Sequence, residues 1–153
     1  MADCKVGHVA GQVLATYALG SCIGLSVYDP KAAVGGLLHY MLPDSGIDPE
    51  RSRQNPYMFA DTGIPKLLEQ VCGQGASRRR LVAHAAGGAS IMDPQAIFDI
   101  GKRNYLALRK ILWKAGVMVK VEETGGAVSR TVRMELSSGR ILIRSGLQEL
   151  VRK

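Results

Sequence analysis

Apolar residues recur along this chain with two periods, and the two sort it into strands and helices. "QVLATYALG" reads as a short strand ended by Gly20. In "CIGLSVY", Ile23, Leu25 and Val27 alternate with Gly24, Ser26 and Tyr28, a strand pattern. "DPKA" follows as a type I turn with Asp29 and Pro30 leading, and "VGGLLHYML" is the return strand. Cys22 to Leu42 is therefore expected to form a β-hairpin. "PDSGIDPERSRQNP" reads as a polar loop suited to a mobile rim. "FADTGIPKLLEQVCGQGA" switches to a helical period, with Leu67, Leu68, Val71 and Cys72 on one face and Pro65 either starting or kinking the helix. "LVAHAAGG" is a buried type of strand running into a glycine turn. "MDPQAIFDIGKRNYLALRKILWKAG" carries the longest helical pattern, surest over Lys102–Ala115 and closed by Gly116. "VMVKVEETGG", "TVRMEL" and "RILIRS" complete the set as strands, the last two joined through Ser137-Ser138-Gly139. Strands, helix, strand, helix, strands in that order predict a layered α/β or α+β sandwich, as one domain over residues 1–153.

Composition narrows the class. The chain is 46% hydrophobic over 153 residues, enough for a core without covalent staples. Three irregularly spaced cysteines imply no disulfide framework and favour a reducing, cytoplasmic setting. "MADCKVGHVA" has no apolar core of a secretion signal, and Gly, His, Gln, Ser and Thr interrupt the longest uncharged stretch, so no membrane insertion is expected. The net charge of +7 favours acidic partners, but aromatics are only 5% and no nucleic-acid-binding signature is present. The arginines of "SRRRL" read as a solvated turn. No metal site is expected: Cys4 and His8 lack a second matched pair. No cofactor is expected either, because neither "AAGGAS" nor "ETGGAVS" continues as a phosphate loop, and both glycine pairs read as turns. Cys72 reads as core, and His84 as core or rim.

The hairpin brings two reactive groups together. A turn at Asp29–Ala32 sets Tyr28 opposite Ala33 and, counting back, Cys22 opposite His39. Directly opposed residues share a face with Cβ atoms about 4.5–5.5 Å apart. A loop one residue longer would send the two to opposite faces. A neighbouring imidazole can take the proton of a thiol and make it a nucleophile. Gly20 has the backbone freedom to aim nearby N–H groups, including that of Ser21, at a developing oxyanion. The Thr16 hydroxyl, on the preceding strand, is placed to orient the histidine. Against this, a cysteine in an apolar strand is often simply buried, and a histidine there is often a hydrogen-bonded core residue. The residues alone leave both readings open.

The motifs "ALGSC", "YDP", "VGGLLHYMLPDS", "AAGGAS", "IGKRN", "EETGG" and "SRTVRMELSSGRILIR", in that order from about Gln12 to Arg144, closely resemble the CheD family of chemoreceptor glutamine deamidases. The resemblance implies a layered sandwich related to the catalytic domain of cytotoxic necrotizing factor toxins. It also implies hydrolytic conversion of receptor glutamines to glutamates, which creates methylation sites. The family's catalytic cysteine falls on Cys22, its histidine on His39 and the orienting threonine on Thr16. The implied partners are the cytoplasmic parts of chemoreceptors and, in some members, the phosphatase CheC. An adaptor that mainly binds CheC, with "IGKRN" and the Leu106–Trp113 helix as docking elements, and a glutamyl methylesterase are the rival readings. Three features depart from the family pattern: Phe59-Ala60-Asp61 in place of Tyr-Ala-Asp, Pro65 interrupting a helix, and a long charged loop from Ile47 to Tyr57 with Glu50, Arg51 and Arg53.

Overall fold

A computed structural model describes residues 2–91 and 98–152. The start of the long helical pattern, at 92–97, lies outside them. The described chain forms nine strands and three α-helices in the order β1 (Asp3–Gly7), β2 (Val13–Leu19), β3 (Ile23–Asp29), β4 (Val34–Tyr40), α1 (Pro49–Gln54), α2 (Ala60–Gly73), β5 (Val82–Gly87), α3 (Ile100–Ala115), β6 (Met118–Thr124), β7 (Arg130–Glu135), β8 (Ile141–Ser145) and β9 (Gln148–Arg152). One sheet runs β1-β4-β3-β5-β6, antiparallel except for the β5–β6 pair; the second runs β2-β7-β8-β9. The expected layered α+β sandwich is the observed one.

The central strands explain the layering. Every residue of β3 and β4 is buried, because both faces of this part of the sheet are covered. Ile23, Leu25, Val27 and Leu38 face the helices, where they pack with Ile64, Leu67, Val71, Leu108 and Leu112. Tyr28 and Leu37 face the second sheet and pack with Leu14, Val132, Met134 and Ile143. The side of β3 bearing Gly24, Ser26 and Tyr28 is thus a second core face, rich in small residues where the two sheets meet. This is why it looks polar in the sequence.

The hairpin forms, but its register differs from the simple turn. Asp29 pairs with Val34, so the loop is Pro30–Ala33. The Asp29 carboxylate accepts from the N–H groups of Lys31 and Ala32, as an N-cap does, and winds the loop into one helical turn. The Ala33 N–H closes it onto the Asp29 carbonyl at 2.8 Å with Ala33 in the left-handed region (φ 55°). The pairing slips by two residues, so His39 faces Gly24 rather than Cys22. A slip of two preserves the face.

Other departures are local. The segment expected to be a mobile loop contains α1 flanked by two short 3-10 turns, with Asp44, Asp48 and Asn55 capping the three elements. Helix α2 runs through Pro65 without interruption. It places the ring on its exposed side, and the missing N–H leaves the Asp61 carbonyl without its helical donor. Strands β1 and β9, which the pattern did not suggest, form sheet edges. "SRRRL" is not wholly a solvated turn: Arg80 grips the fully buried Asp29 through Nε, 3.0 Å from both carboxylate oxygens, and through Nη2 at 2.8 Å.

Candidate active site

The site lies at the end of the sandwich where β2 leaves one sheet and β3 enters the other. Thr16 sits on β2, paired with Val132, and the β2–β7 register breaks between Thr16 and Leu19. Ala18, inside this bulge, has a left-handed φ of 55°, a conformation that costs a residue bearing a Cβ about 1 kcal/mol or more. The bulge turns the chain so that Gly20, Ser21 and Cys22 cross from one sheet to the other just before β3 begins.

His39 lies on β4, on the face toward the second sheet, and is 5% exposed. Its opposite number, Gly24, explains how Thr16 reaches it. A Cβ at Gly24 would stand 2.8 Å from Leu19 Cδ1 and 3.2 Å from Thr16 Cγ2, so the missing side chain is the space the threonine occupies. Thr16 Oγ1 lies 2.8 Å from His39 Nδ1, a hydrogen bond whose direction follows the ring tautomer. Nε2 of the same ring is buried and has no hydrogen-bond partner among the described residues. Cys22 is half-buried against the inter-sheet core and lies two residues before Gly24, on the face that Gly24 and His39 share. It is diagonal to the imidazole rather than directly opposite.

Both groups are held neutral. Burial lowers the His39 pKa to about 4, with the Asp3 carboxylate on neighbouring β1, paired with His39 in register, pulling weakly the other way. Burial also raises the Cys22 thiol, opposed in part by a hydrogen bond from its own backbone N–H. Both shifts favour thiol and imidazole over an ion pair.

Two clefts flank the crossing. One of about 280 Å³ is lined by Thr16, His39, Leu37, Tyr17, Asp3 and Lys5. The other, about 490 Å³ and more apolar, is lined by the Gly20–Ser21 backbone with Ala18, Ala89, Ile91 and Phe98. The glycine turns meet behind the crossing: the Gly88 N–H donates to the Cys22 carbonyl at 2.9 Å, and the Gly125 N–H to the Gly87 carbonyl at 3.0 Å. Buried Arg130 braces both turns, donating to the carbonyls of Gly87 at 3.1 Å and Gly125 at 2.8 Å. Gly87 has a φ of 115°, and a Cβ there would fall 2.1 Å from the Cys22 carbonyl oxygen. Gly87 ends β5 with Gly88 just after it, and Gly125 and Gly126 bend the chain after β6; all four have positive φ, and together they shape the site.

The remaining candidates are dispersed. Cys4 approaches Gln70 at 3.8 Å, with its thiol pushed up to about 12 by burial, while His8 binds Gln74, so the two have separate partners. Cys72 packs on the helix-side core, and His84 is buried on β5. Asp3 and Asn104 belong to the surroundings of the site but were not singled out in the sequence. For Asn104 a signal existed: it shares the buried stripe of α3 with Gly101, Leu108 and Leu112.

Fold and site together define a layered sandwich with a thiol, an imidazole and a hydroxyl at one strand crossing. A family model described as CheD chemotactic sensory transduction matches residues 41–145. The chain is 78% identical over 92% of its length to a probable chemoreceptor glutamine deamidase CheD of Solibacter usitatus, covering 83% of that protein. It is 46% identical over 95% of its length to the CheD 1 of Syntrophus aciditrophicus, covering 91%, and 48% over 89% to the CheD 2 of Anaeromyxobacter dehalogenans, covering 86%, both described in the same words. The chain belongs to the CheD family. No helix among the described residues is long and apolar enough to cross a membrane.

Proposed function

We propose that this protein hydrolyses glutamine side chains in the cytoplasmic part of chemoreceptors to glutamates, with Cys22 as nucleophile, His39 as base and acid, and Thr16 as the group that orients His39. The observation that carries this reading is the 2.8 Å bond from Thr16 to Nδ1 of a histidine whose Nε2 has no partner among the described residues, on the face shared with Cys22. The printed names of the relatives supply the substrate class.

The chemistry follows from the neutral ground state. With Nδ1 protonated and donating to Thr16 Oγ1, Nε2 holds a lone pair and accepts the thiol proton as Sγ adds to the carboxamide carbon. The oxygen gains the electron pair of the broken C=O π bond, and backbone N–H groups of Ser21 and Cys22 stabilise it. Collapse re-forms the carbonyl, the imidazolium gives its proton to the leaving nitrogen, and ammonia departs from a thioester on Cys22. Water then adds, losing a proton to Nε2, and the thiol leaves with that proton. The sum is amide plus water to acid plus ammonia. An imidazole that binds protons weakly returns them readily, which suits the step that expels ammonia.

The test is incubation with a receptor cytoplasmic fragment, read by peptide mass spectrometry for amide-to-acid conversion, beside a peptide bearing a glutamyl methyl ester. The reading expects conversion of the glutamine. Turnover of the ester alone would instead make the protein a methylesterase, and turnover of neither would leave CheC binding as its main work.

A further inference from the structure

The three carbonyls of Gly20, Ser21 and Cys22 are each held by a donor from elsewhere in the fold. The Ala89 N–H donates to Gly20 at 2.8 Å and the Gly88 N–H to Cys22 at 2.9 Å. The middle one, Ser21, accepts from the side chain of Asn104, whose Nδ2 lies 2.9 Å away. A trans peptide holds its N–H antiparallel to its C=O. Anchoring the Gly20 and Ser21 carbonyls therefore sets the directions of the Ser21 and Cys22 N–H groups. The Cys22 nitrogen is two bonds from the carbon that bears the sulfur, so this donor borders the space in which the sulfur adds.

Asn104 is fully buried and uses both amide hydrogens, the second on the Met41 carbonyl at 2.9 Å. Two facing carbonyls admit only the NH₂ end, which fixes the orientation of the amide. Oδ1 has no partner among the described residues, and the Asn104 carbonyl accepts from the Tyr40 hydroxyl at 2.6 Å. One side chain thus ties the loop of the nucleophile to the end of β4, the strand of the base. One turn earlier, Gly101 lies so close to the Gly88 and Ala89 backbone that a Cβ would stand 2.5 Å from the Gly88 oxygen. The first two turns of α3 therefore brace all three anchors.

We propose that Asn104 is a positioning residue that sets the oxyanion-binding N–H groups of Ser21 and Cys22. This rests on Cys22 acting as an acyl-transfer nucleophile. Two reagents separate this role from a general structural one. p-Nitrophenyl acetate acylates a thiol through a tetrahedral oxyanion and releases p-nitrophenolate; iodoacetamide alkylates by direct displacement of iodide and forms no oxyanion. In Asn104→Ala the rate of Cys22 acylation should fall about 10- to 100-fold, below or at the low end of losing an oxyanion donor outright, because the donors are displaced rather than removed. Alkylation of Cys22, followed by mass spectrometry, should stay within about twofold. With receptor fragment as substrate, kcat should fall and KM should not.

Asn104→Asp keeps the shape while turning an acceptor toward both carbonyls, and it carries the test if the alanine variant does not stay folded. Unchanged acylation, or acylation and alkylation falling in equal proportion, would overturn the assignment. So would a wild-type Cys22 that is alkylated but never acylated. A wild-type protein that is acylated yet leaves the receptor fragment intact would overturn the receptor substrate and leave Asn104 in place, since the ratio of the two reagents needs no receptor.

Discussion

In the proposed reaction His39 acts as a base only while it is uncharged, and burial favours that form: a pKa of about 4 leaves the ring neutral in the neutral range. The raised thiol keeps its proton in the same range. Alkylation of Cys22 should therefore climb with pH without the plateau between pH 5 and 8 that a preformed thiolate–imidazolium pair would give, and should still be rising at pH 9. A plateau in that window, read by iodoacetamide labelling and peptide mass spectrometry, would mean the ion pair exists at rest. Thr16→Val keeps the shape and removes the hydroxyl, freeing the ring to adopt the wrong tautomer. Deamidation should drop about tenfold or more with little change in melting temperature. Cys22, His39 and Thr16 could be nominated from the sequence because thiol, imidazole and hydroxyl carry their chemistry in the side chain, and the structure adds the 2.8 Å Thr16–His39 contact; their catalytic roles remain the proposal. For Asn104 the sequence showed only a place on the buried stripe of α3, not which carbonyls it reaches across the fold.

The hairpin shows what an element discloses and what it hides. Its two strands follow from alternation, but its register depends on how the Asp29 carboxylate caps the loop, and no glycine marks Ala33 as the left-handed position. The slip by two residues leaves the predicted face intact and moves Cys22 from opposite His39 to diagonal. Asp29 is fully buried; burial alone would raise its pKa, but Arg80 and the N–H groups of Ser77, Ala32 and Lys31 hold it well below the usual carboxylate range. Asp29→Ala removes the cap of the loop and the partner of the part-exposed Arg80, and should destabilise the protein by about 1–3 kcal/mol in urea unfolding. A loss under 1 kcal/mol would show that the loop holds its register without the pair.

The layering was legible from the order of periods, but the allocation of strands was not. Strands β2 and β3 follow each other in sequence yet lie in different sheets, and the crossing between them carries Cys22, the proposed nucleophile. Buried charge-changing groups should shape the molecule's stability. His39 and His84, both buried, have folded pKa values near 4, below the 6.5 of a free imidazole. Groups depressed on folding stabilise above the unfolded value and lose that contribution as pH falls. The unfolding free energy from urea titrations should drop between pH 6.5 and 4, by about 1–3 kcal/mol for each histidine. The Asp29 contribution, also a depressed pKa, should survive that window and be lost below about pH 4. A midpoint flat from pH 7 to 4 would mean the histidines are solvated. The proposed deamidation is tested by incubating a receptor cytoplasmic fragment with wild-type protein, Cys22→Ala and His39→Ala in parallel, with every glutamine followed by mass spectrometry. Wild-type protein should convert specific glutamines to glutamate and neither variant should do so above background; conversion that persists in Cys22→Ala would rule out the thiol as nucleophile.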